Sequence, residues 1–450
     1  MRGYKKNLSM LKLMPAVVAA FLLTFHFQKI QAQPLLPAEE AIATALAYNY
    51  GILLAKSDSV AAAIDVDFAN GAFLPRLNAI IGNVWNNNDQ HQEFSDGTVR
   101  GHNGVQSTNF TGSLNLNWTL FDGMKMFATK DKIEEIWRLG ELNIKNQVVN
   151  TVAAVTNNYY DIVRQKQQLK AIEEQMSVSE ERVKVAERKL ATGLGSKPEL
   201  LQAKVDLNAQ KASQLQQQTL IAELKEQLNQ LAGMRLPETF EVIDSIPFRA
   251  ALLLSDIQAG ITTTNPSLLL AEKNIGIAQL TLKETKAERW PTVAFSPAYN
   301  YSRTDNKTVV NPFQPLFSRN NGFNLGLTAN IPILNNRLAQ RNIEQAAIEI
   351  EYLQLAYTDR RTQIDAGVKN AYRDYEYQKK ALELEEENIA LAKENVAIAL
   401  ERFRQGVSTY LELREAQKSL EDAYNRLIAA RYNTKLAETE LLRLKGDLVR

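Results

Sequence analysis

Two rhythms of apolar residues run along this chain, and they change places twice. In GFNLGLTANIPIL, residues 322–334, Phe323, Leu325, Leu327, Ala329, Ile331 and Ile333 alternate with Asn324, Gly326, Thr328, Asn330 and Pro332, a two-residue repeat that predicts strand. SLNLNWTLF, residues 113–121, does the same with Leu114, Leu116, Trp118 and Leu120 against Asn115, Asn117 and Thr119. PRLNAIIGNVW from Pro75 and PTVAFSPAYNYS from Pro291 supply one partner strand each. The polar stretch from Asn86 to Asn109 reads as a long loop, with NPFQPLF near Pro312 as its counterpart. Four strands in two hairpins are expected, about residues 75–121 and 291–334.

The other rhythm is helical. No proline lies between Pro75 and Pro198, and none follows Pro332. Leu169, Ile172, Met176, Ser179, Val183, Ala186 and Leu190 step alternately by three and four, a heptad seam that runs into Gly193. Leu382, Ile389, Ala392, Val396, Ala399 and Phe403 reach Gly406 in the same register, with Glu385 as the charged intruder. Beyond it Leu413, Ala416, Leu420, Ala423, Leu427, Ala430, Ala437, Leu441 and Leu444 continue the seam, with Thr434 its polar member. If the stretch from Asp122 to Gly193 is helical throughout, it extends roughly 100 Å at the α-helical rise.

These patterns belong to one unit written twice. Asp122 and Asn335, Tyr159 and Tyr372, Gly193 and Gly406, Leu207 and Leu420, Gly233 and Gly446 are each 213 positions apart. Upstream the offset is 216, from Asn49 to Asn265 and from Pro75 to Pro291, so the halves differ by a short indel of the kind surface loops absorb. The expected division is residues 1–32, a first repeat 33–235, a linker 236–249, a second repeat 250–446 and an end segment 447–450.

Composition narrows what such a chain can do. With 45% apolar and 23% charged residues it is a folded protein, and 52 Lys and Arg against 51 Asp and Glu leave no excess to neutralise a nucleic-acid backbone. No cysteine is present, which removes thiol catalysis, thiolate metal sites and disulfides. Of three histidines, His26 falls in the N-terminal segment, while His91 and His102 fall in the polar stretch and read as exposed loop residues rather than metal or acid/base ligands. No enzyme, cofactor or metal site is expected. Arg2, Lys5 and Lys6, an apolar run from Leu13 to Phe25, and Ala32 before Gln33 have the anatomy of a signal peptide, with cleavage after Ala32. Beyond it no apolar run is long enough for a membrane helix.

An alternating sheet in an exported protein has two readings. One is a small antiparallel sheet with a wet face, in a periplasmic coiled-coil scaffold without a pore. The other is a set of outer-membrane strands, apolar toward lipid and polar toward a lumen, with Trp85, Trp118 and Phe121 as interface aromatics. Four strands cannot close a barrel, and an open edge in lipid leaves backbone groups unpaired, so this reading requires several copies of the chain.

The duplicated arrangement, the AEEAIATALAYNYGILLAKSDSVAAA opening, FLPRL before the first strand, WTLFDG at the strand-to-helix junction and the TGLGS turn resemble the TolC family of outer membrane efflux proteins over residues 38–446. The resemblance implies a mixed α and transmembrane β fold: a homotrimer with one twelve-stranded barrel, four strands per chain, continuous with a long α-helical coiled-coil tunnel in the periplasm. It implies a passive exit duct for a tripartite efflux pump, or alternatively for a type I secretion system. An inner-membrane transporter of RND or ABC type would drive it through a periplasmic adapter, the membrane fusion protein.

On that resemblance the glycine turns become periplasmic tips. Gly193, Leu194, Gly195 and Ser196 at one, and Gly406, Val407 and Ser408 at the other, would meet the adapter, and apolar residues at an exposed turn fit a covered surface. Glu412 and Glu415, six and nine positions beyond Gly406, match acidic residues that line the narrow mouth of related channels; in a threefold ring they would favour cations. Relatives tie the mouth closed with a tyrosine and an arginine where this chain has Phe403 and Ser408. Glu199 keeps the matching position at the first tip but lacks those partners, so the resting mouth is expected to be held by packing instead.

Overall fold

The computed structural model describes residues 34–248 and 252–448; the expected signal segment lies outside them. A short strand β1 (Leu35–Leu36) leads into helices α1 (Ala38–Tyr48) and α2 (Tyr50–Phe68), the strands β2 (Arg76–Glu93) and β3 (Val99–Phe121), and the helices α3 (Lys125–Ala191) and α4 (Lys197–Leu231). After β4 (Glu241–Val242) the order recurs: helices α5 (Leu254–Thr264) and α6 (Pro266–Ala287), then strands β5 (Thr292–Phe295), β6 (Ala298–Asn306), β7 (Phe317–Asn324) and β8 (Leu327–Asn330), then α7 (Leu338–Arg404) and α8 (Tyr410–Lys445).

Equivalent residues do equivalent work in the two halves. Asn49 separates α1 from α2, accepts from the Ile52 amide and donates to the Leu231 carbonyl at 2.8 Å. Asn265 separates α5 from α6, accepts from the Leu268 amide and donates to the Leu444 carbonyl at 2.8 Å. Each asparagine thus starts one helix and satisfies an end carbonyl of another, which fixes where the short helices meet the long ones.

The strands form one antiparallel sheet in the order β2, β3, β5/β6, β7/β8. The second hairpin is interrupted at Ser296–Pro297 and at Leu325–Gly326. Pro297 has no N–H to give, and the ladder crosses the break through Leu116 N to Pro297 O (3.0 Å) and Ser296 N to Gly326 O (2.8 Å). Between Asn86 and Asn109 the chain is strand almost throughout, not a long loop; the turn is confined to residues 94–98, and His91 and His102 lie in the ladder. The polarity that suggested a loop marks strands wet on both sides, since pairing uses the backbone and is indifferent to Asn, Gln and Thr side chains. In the last strand the alternation outruns the ladder, which stops at Asn330.

Register sorts the side chains by face. Leu77, Ile81 and Trp85 share a face with Phe110, Leu114, Tyr299 and Phe323, with Asn83, Arg303, Asp305, Arg319 and Asn321 as its polar members toward the hairpin turns. Behind them stand Asn78, Asn86, Asn109, Thr111, Ser113, Asn115, Asn117, Asn300, Ser302, Thr304 and Asn320, with Ile80 and Val84 as apolar exceptions. Nothing among the described residues covers the apolar face: Ile81 is 75%, Trp85 74% and Phe323 71% exposed. Both sheet edges, along β2 and along β7/β8, also have no strand partner among the described residues.

The helices α3 and α7 have 67 residues each, about 100 Å of rod at the α-helical rise. Each folds back on its shorter partner: Glu187 pairs with Lys204 and Asn158 with Gln227 in the first hairpin, Arg402 with Glu412 and Glu386 with Arg431 in the second. From Phe403 through Leu413, Ala416, Leu420, Ala423, Leu427, Ala430, Thr434, Ala437, Leu441 and Leu444 the second seam is continuously buried. Thr434 turns its hydroxyl to the Ala430 carbonyl at 2.7 Å, and Glu385 is answered by Arg426 at 3.0 Å. At the broad end, residues 236–246 do not hang free. Leu236, Phe240, Val242 and Ile246 are buried with Tyr159 and Ile162, β4 pairs with β1, and the Tyr159 hydroxyl donates to the Leu36 carbonyl at 2.7 Å.

Candidate functional site: the helical tips

Both reversals are built alike. α3 ends as Gly193 adopts φ 75°, and the amides of Gly193 and Leu194 return to the carbonyls of Leu190 and Lys189. α7 ends as Gly406 adopts φ 77°, and the amides of Gly406 and Val407 return to Phe403 and Arg402. A left-handed residue is what closes these last turns, and glycine takes that conformation without a Cβ penalty. The residue following each is left in solvent: Leu194 is 83% and Val407 64% exposed. Gly195 is packed against Lys189 and Leu190, and Ser408 is half-buried, its hydroxyl without a hydrogen-bond partner.

The following helices begin with matched caps. Ser196 Oγ accepts from the Glu199 amide at 3.4 Å, and Thr409 Oγ1 from the Glu412 amide at 3.2 Å while donating to the Glu412 carboxylate at 3.4 Å. Glu199 and Glu412 therefore hold the same place, three residues past the cap, where a carboxylate also favours the helix N-terminus. Glu412 lies 3.8 Å from Arg402. With Glu415, Leu411, Arg414 and Lys418 it lines an open cavity of about 540 Å³. Within one chain the two acids are thus interleaved with three cations rather than forming a bare acidic patch. Phe403 is not at the surface: it is buried against Val185 and Leu413, with the Lys189 ammonium 3.9 Å from its ring centre.

The structure adds a group that the sequence did not single out. Arg182 of α3, 2% exposed, reaches Asp206 of α4 at 2.8 Å and Gln417 of α8 at 2.9 Å, and stacks over the Tyr410 ring at 5.0 Å. Tyr410 donates its hydroxyl to the same Asp206 oxygen at 2.7 Å, Gln202 donates to the other oxygen at 2.9 Å, and Arg414 approaches to 3.9 Å. Burial pushes the Asp206 carboxyl up, but the bonds from Tyr410 and Gln202 and the charges of Arg182 and Arg414 outweigh it and hold it below the usual carboxylate range. Burial, then the bond to Asp206, pushes the Tyr410 phenol above its ordinary value. This cluster fastens the first helical hairpin to the start of α8 a few turns behind the tips. Among the described residues no group of acids and histidines could hold a metal ion, and no helix is long and apolar enough to cross a membrane.

The family model described as outer membrane efflux protein matches residues 41–234 and 261–447. The chain belongs to the outer membrane efflux protein family. Its two matched segments are the two repeats, and as a member of a channel family it is not an enzyme. Solved channels share the fold at low identity. The outer-membrane channel OprN superposes with a TM-score of 0.76 at 16% identity, over 91% of this chain and 90% of that one. The CmeC outer membrane channel of Campylobacter jejuni gives 0.76 at 15% identity, over 91% and 85%. The outer membrane protein VceC of Vibrio cholerae gives 0.73 at 16% identity, over 91% and 96%. No curated protein matches the sequence.

Proposed function

We propose that this efflux-family chain is one subunit of a homotrimeric exit duct. Three copies join their sheets edge to edge into a twelve-stranded barrel in the outer membrane, and their helical hairpins extend it as a tunnel through the periplasm. The observation that carries this reading is the sheet: one face mostly apolar, the other mostly Asn, Ser and Thr, and, among the described residues, nothing over the apolar face or along either edge. An apolar face suits hydrocarbon, a polar face suits a water-filled lumen, and only closure satisfies edges in lipid.

The duct is passive. A periplasmic adapter of the membrane fusion type covers Leu194 and Val407 at the tips, and an inner-membrane transporter of RND or ABC type supplies the energy. Small molecules are the proposed cargo. Glu412 and Glu415, repeated by threefold symmetry, bias the mouth toward cations, and their basic neighbours moderate that bias. Residues 1–32 serve as the export signal, and 33–235 and 250–446 are the two structural repeats, joined by the linker 236–249.

Planar-bilayer recording of the purified protein tests the proposal. A steady cation-preferring current is expected, with the preference reduced in a Glu412→Gln, Glu415→Gln double variant. Absence of any current at saturating protein rejects the duct, and an unchanged preference removes these glutamates from the filter.

A further inference from the structure

The apolar face of the sheet changes character at one level, and what enters there is positive charge. Phe110, Arg303 and Arg319 form one row across β3, β6 and β7. Trp85, Thr108, Asp305 and Phe317 form the next row toward the hairpin turns. Lys307 continues the alternation of Arg303 and Asp305, its amide donating to the Gln106 carbonyl at 2.9 Å and its ammonium to the Gln106 side chain at 3.4 Å. Three cations therefore stand beside one acid. Asp305 is committed to Arg303 at 2.8 Å, and that guanidinium also lies over the Phe317 ring at 5.3 Å. Arg319 is exposed and has no ion-pair partner among the described residues.

Like charges directly opposite on neighbouring strands repel, so the Arg303–Arg319 pair is unfavourable unless an anion lies over it. The fold does not demand these charges. Shifted back by 216 and 213, the two arginines become Asn87 and Gln106, which also face each other in the first hairpin and are neutral. The level of the pair is informative as well. Trp118, opposite Phe295, marks the other end of this face. From residue 118 to residue 108, β3 extends about 34 Å, or about 26 Å of depth at a tilt of about 40°, the height of an outer-membrane apolar band between its aromatic girdles. The arginines lie one row inside the girdle of Trp85 and Phe317, where long cationic side chains reach the headgroups.

We infer that Arg303, Arg319 and Lys307 bind the phosphate of an acylated lipid of the outer leaflet, with the exposed Tyr299 and Phe323 beneath them as the bed for its acyl chains. The inference rests on the barrel reading and adds a ligand to the barrel's outer surface. Guanidinium forks match phosphate oxygens, and a phosphate set between the two arginines turns a repulsive row into a bridged one. Each chain carries one such site, so the barrel carries three.

Native mass spectrometry of the mature trimer reads the site directly, with a bis-phosphorylated lipid A, its dephosphorylated form or inorganic phosphate added in detergent. The phosphorylated lipid is expected to be held about tenfold or more tighter than the dephosphorylated form. An Arg303→Gln, Arg319→Gln double variant is expected to lose that preference at an unchanged trimeric mass. Equal retention of the two lipids by the parent protein, or an unchanged preference in the variant, overturns the site and leaves the barrel standing. Inorganic phosphate held as tightly as the lipid overturns the lipid assignment. A variant that falls into single chains assigns the arginines to the contact between copies and overturns the site too. A parent protein that is itself a single chain overturns the barrel reading and the site together.

Discussion

Replacing Asp206 with asparagine should loosen the tips without unfolding the rods. The carboxylate compensates Arg182, which is 2% exposed, and accepts from Tyr410 and Gln202 besides. Removing one partner of a buried pair costs about 3–5 kcal/mol; Asp206 retains 20% side-chain exposure and asparagine keeps an acceptor, so about 2 kcal/mol is the working figure. If that energy holds α8 to the first hairpin, local opening near the turns becomes about thirty-fold more frequent. Arg188, Lys189, Arg402 and Arg404 flank the turns and make trypsin the natural probe. Under conditions where reclosing outpaces cleavage, the cleavage rate tracks the open population. The Asp206→Asn variant should therefore be cut at the tips about thirty times faster, and a Tyr410→Phe change should add much less in that background than in the parent protein. Rates within twofold of the parent, or fully additive effects, would refute the reasoning. The pH dependence has a definite sign. The folded carboxyl lies below its ordinary value of 3.8, so its contribution is complete above that value and is lost as pH falls through the lower folded value. Tip protection should accordingly be flat from about pH 5 to 8 and should fall only in stronger acid.

Three further outcomes follow from named residues. Gly193→Val or Gly406→Val forces a branched side chain to φ near 75°, at about 1–2 kcal/mol each, and should lower the thermal midpoint in detergent while Leu194→Ser does not. Asn265→Ala removes both a helix cap and the donor to a buried Leu444 carbonyl, a loss of about 2 kcal/mol visible as faster hydrogen exchange at the α6 start, with Asn49→Ala giving the matching effect in the first half. Ile81→Lys places a charge on the apolar sheet face and should cost about 2–4 kcal/mol of assembly, whereas Ser113→Lys on the opposite face should assemble and alter conductance instead; equal yields of detergent-stable oligomer from both would contradict the facing of the sheet.

The features legible in the sequence were those set by local spacing or by repetition. Gly193 and Gly406 announced reversals because few other residues end a helix that way, and the seam from Phe403 to Leu444 could be followed because its period is short and its partner helix lies next in sequence. The wet strands around His91 and His102 were hidden because backbone pairing leaves no trace in polar side chains. Arg182, Asp206 and Tyr410 were hidden for a different reason. Arg182 interrupts no pattern, and Tyr410 lies 204 positions beyond Asp206, so only the docking of one repeat on the other brings them together. The burial of Phe403 was hidden in the same way, because it depends on Val185 from the other half.

The central claim is that this sheet is an arc of a barrel completed by further copies, and native mass spectrometry of the mature protein in detergent tests it most directly. The account predicts a single species with the mass of three chains that falls apart only under denaturing conditions. A monodisperse single chain that stays soluble after detergent removal would contradict it.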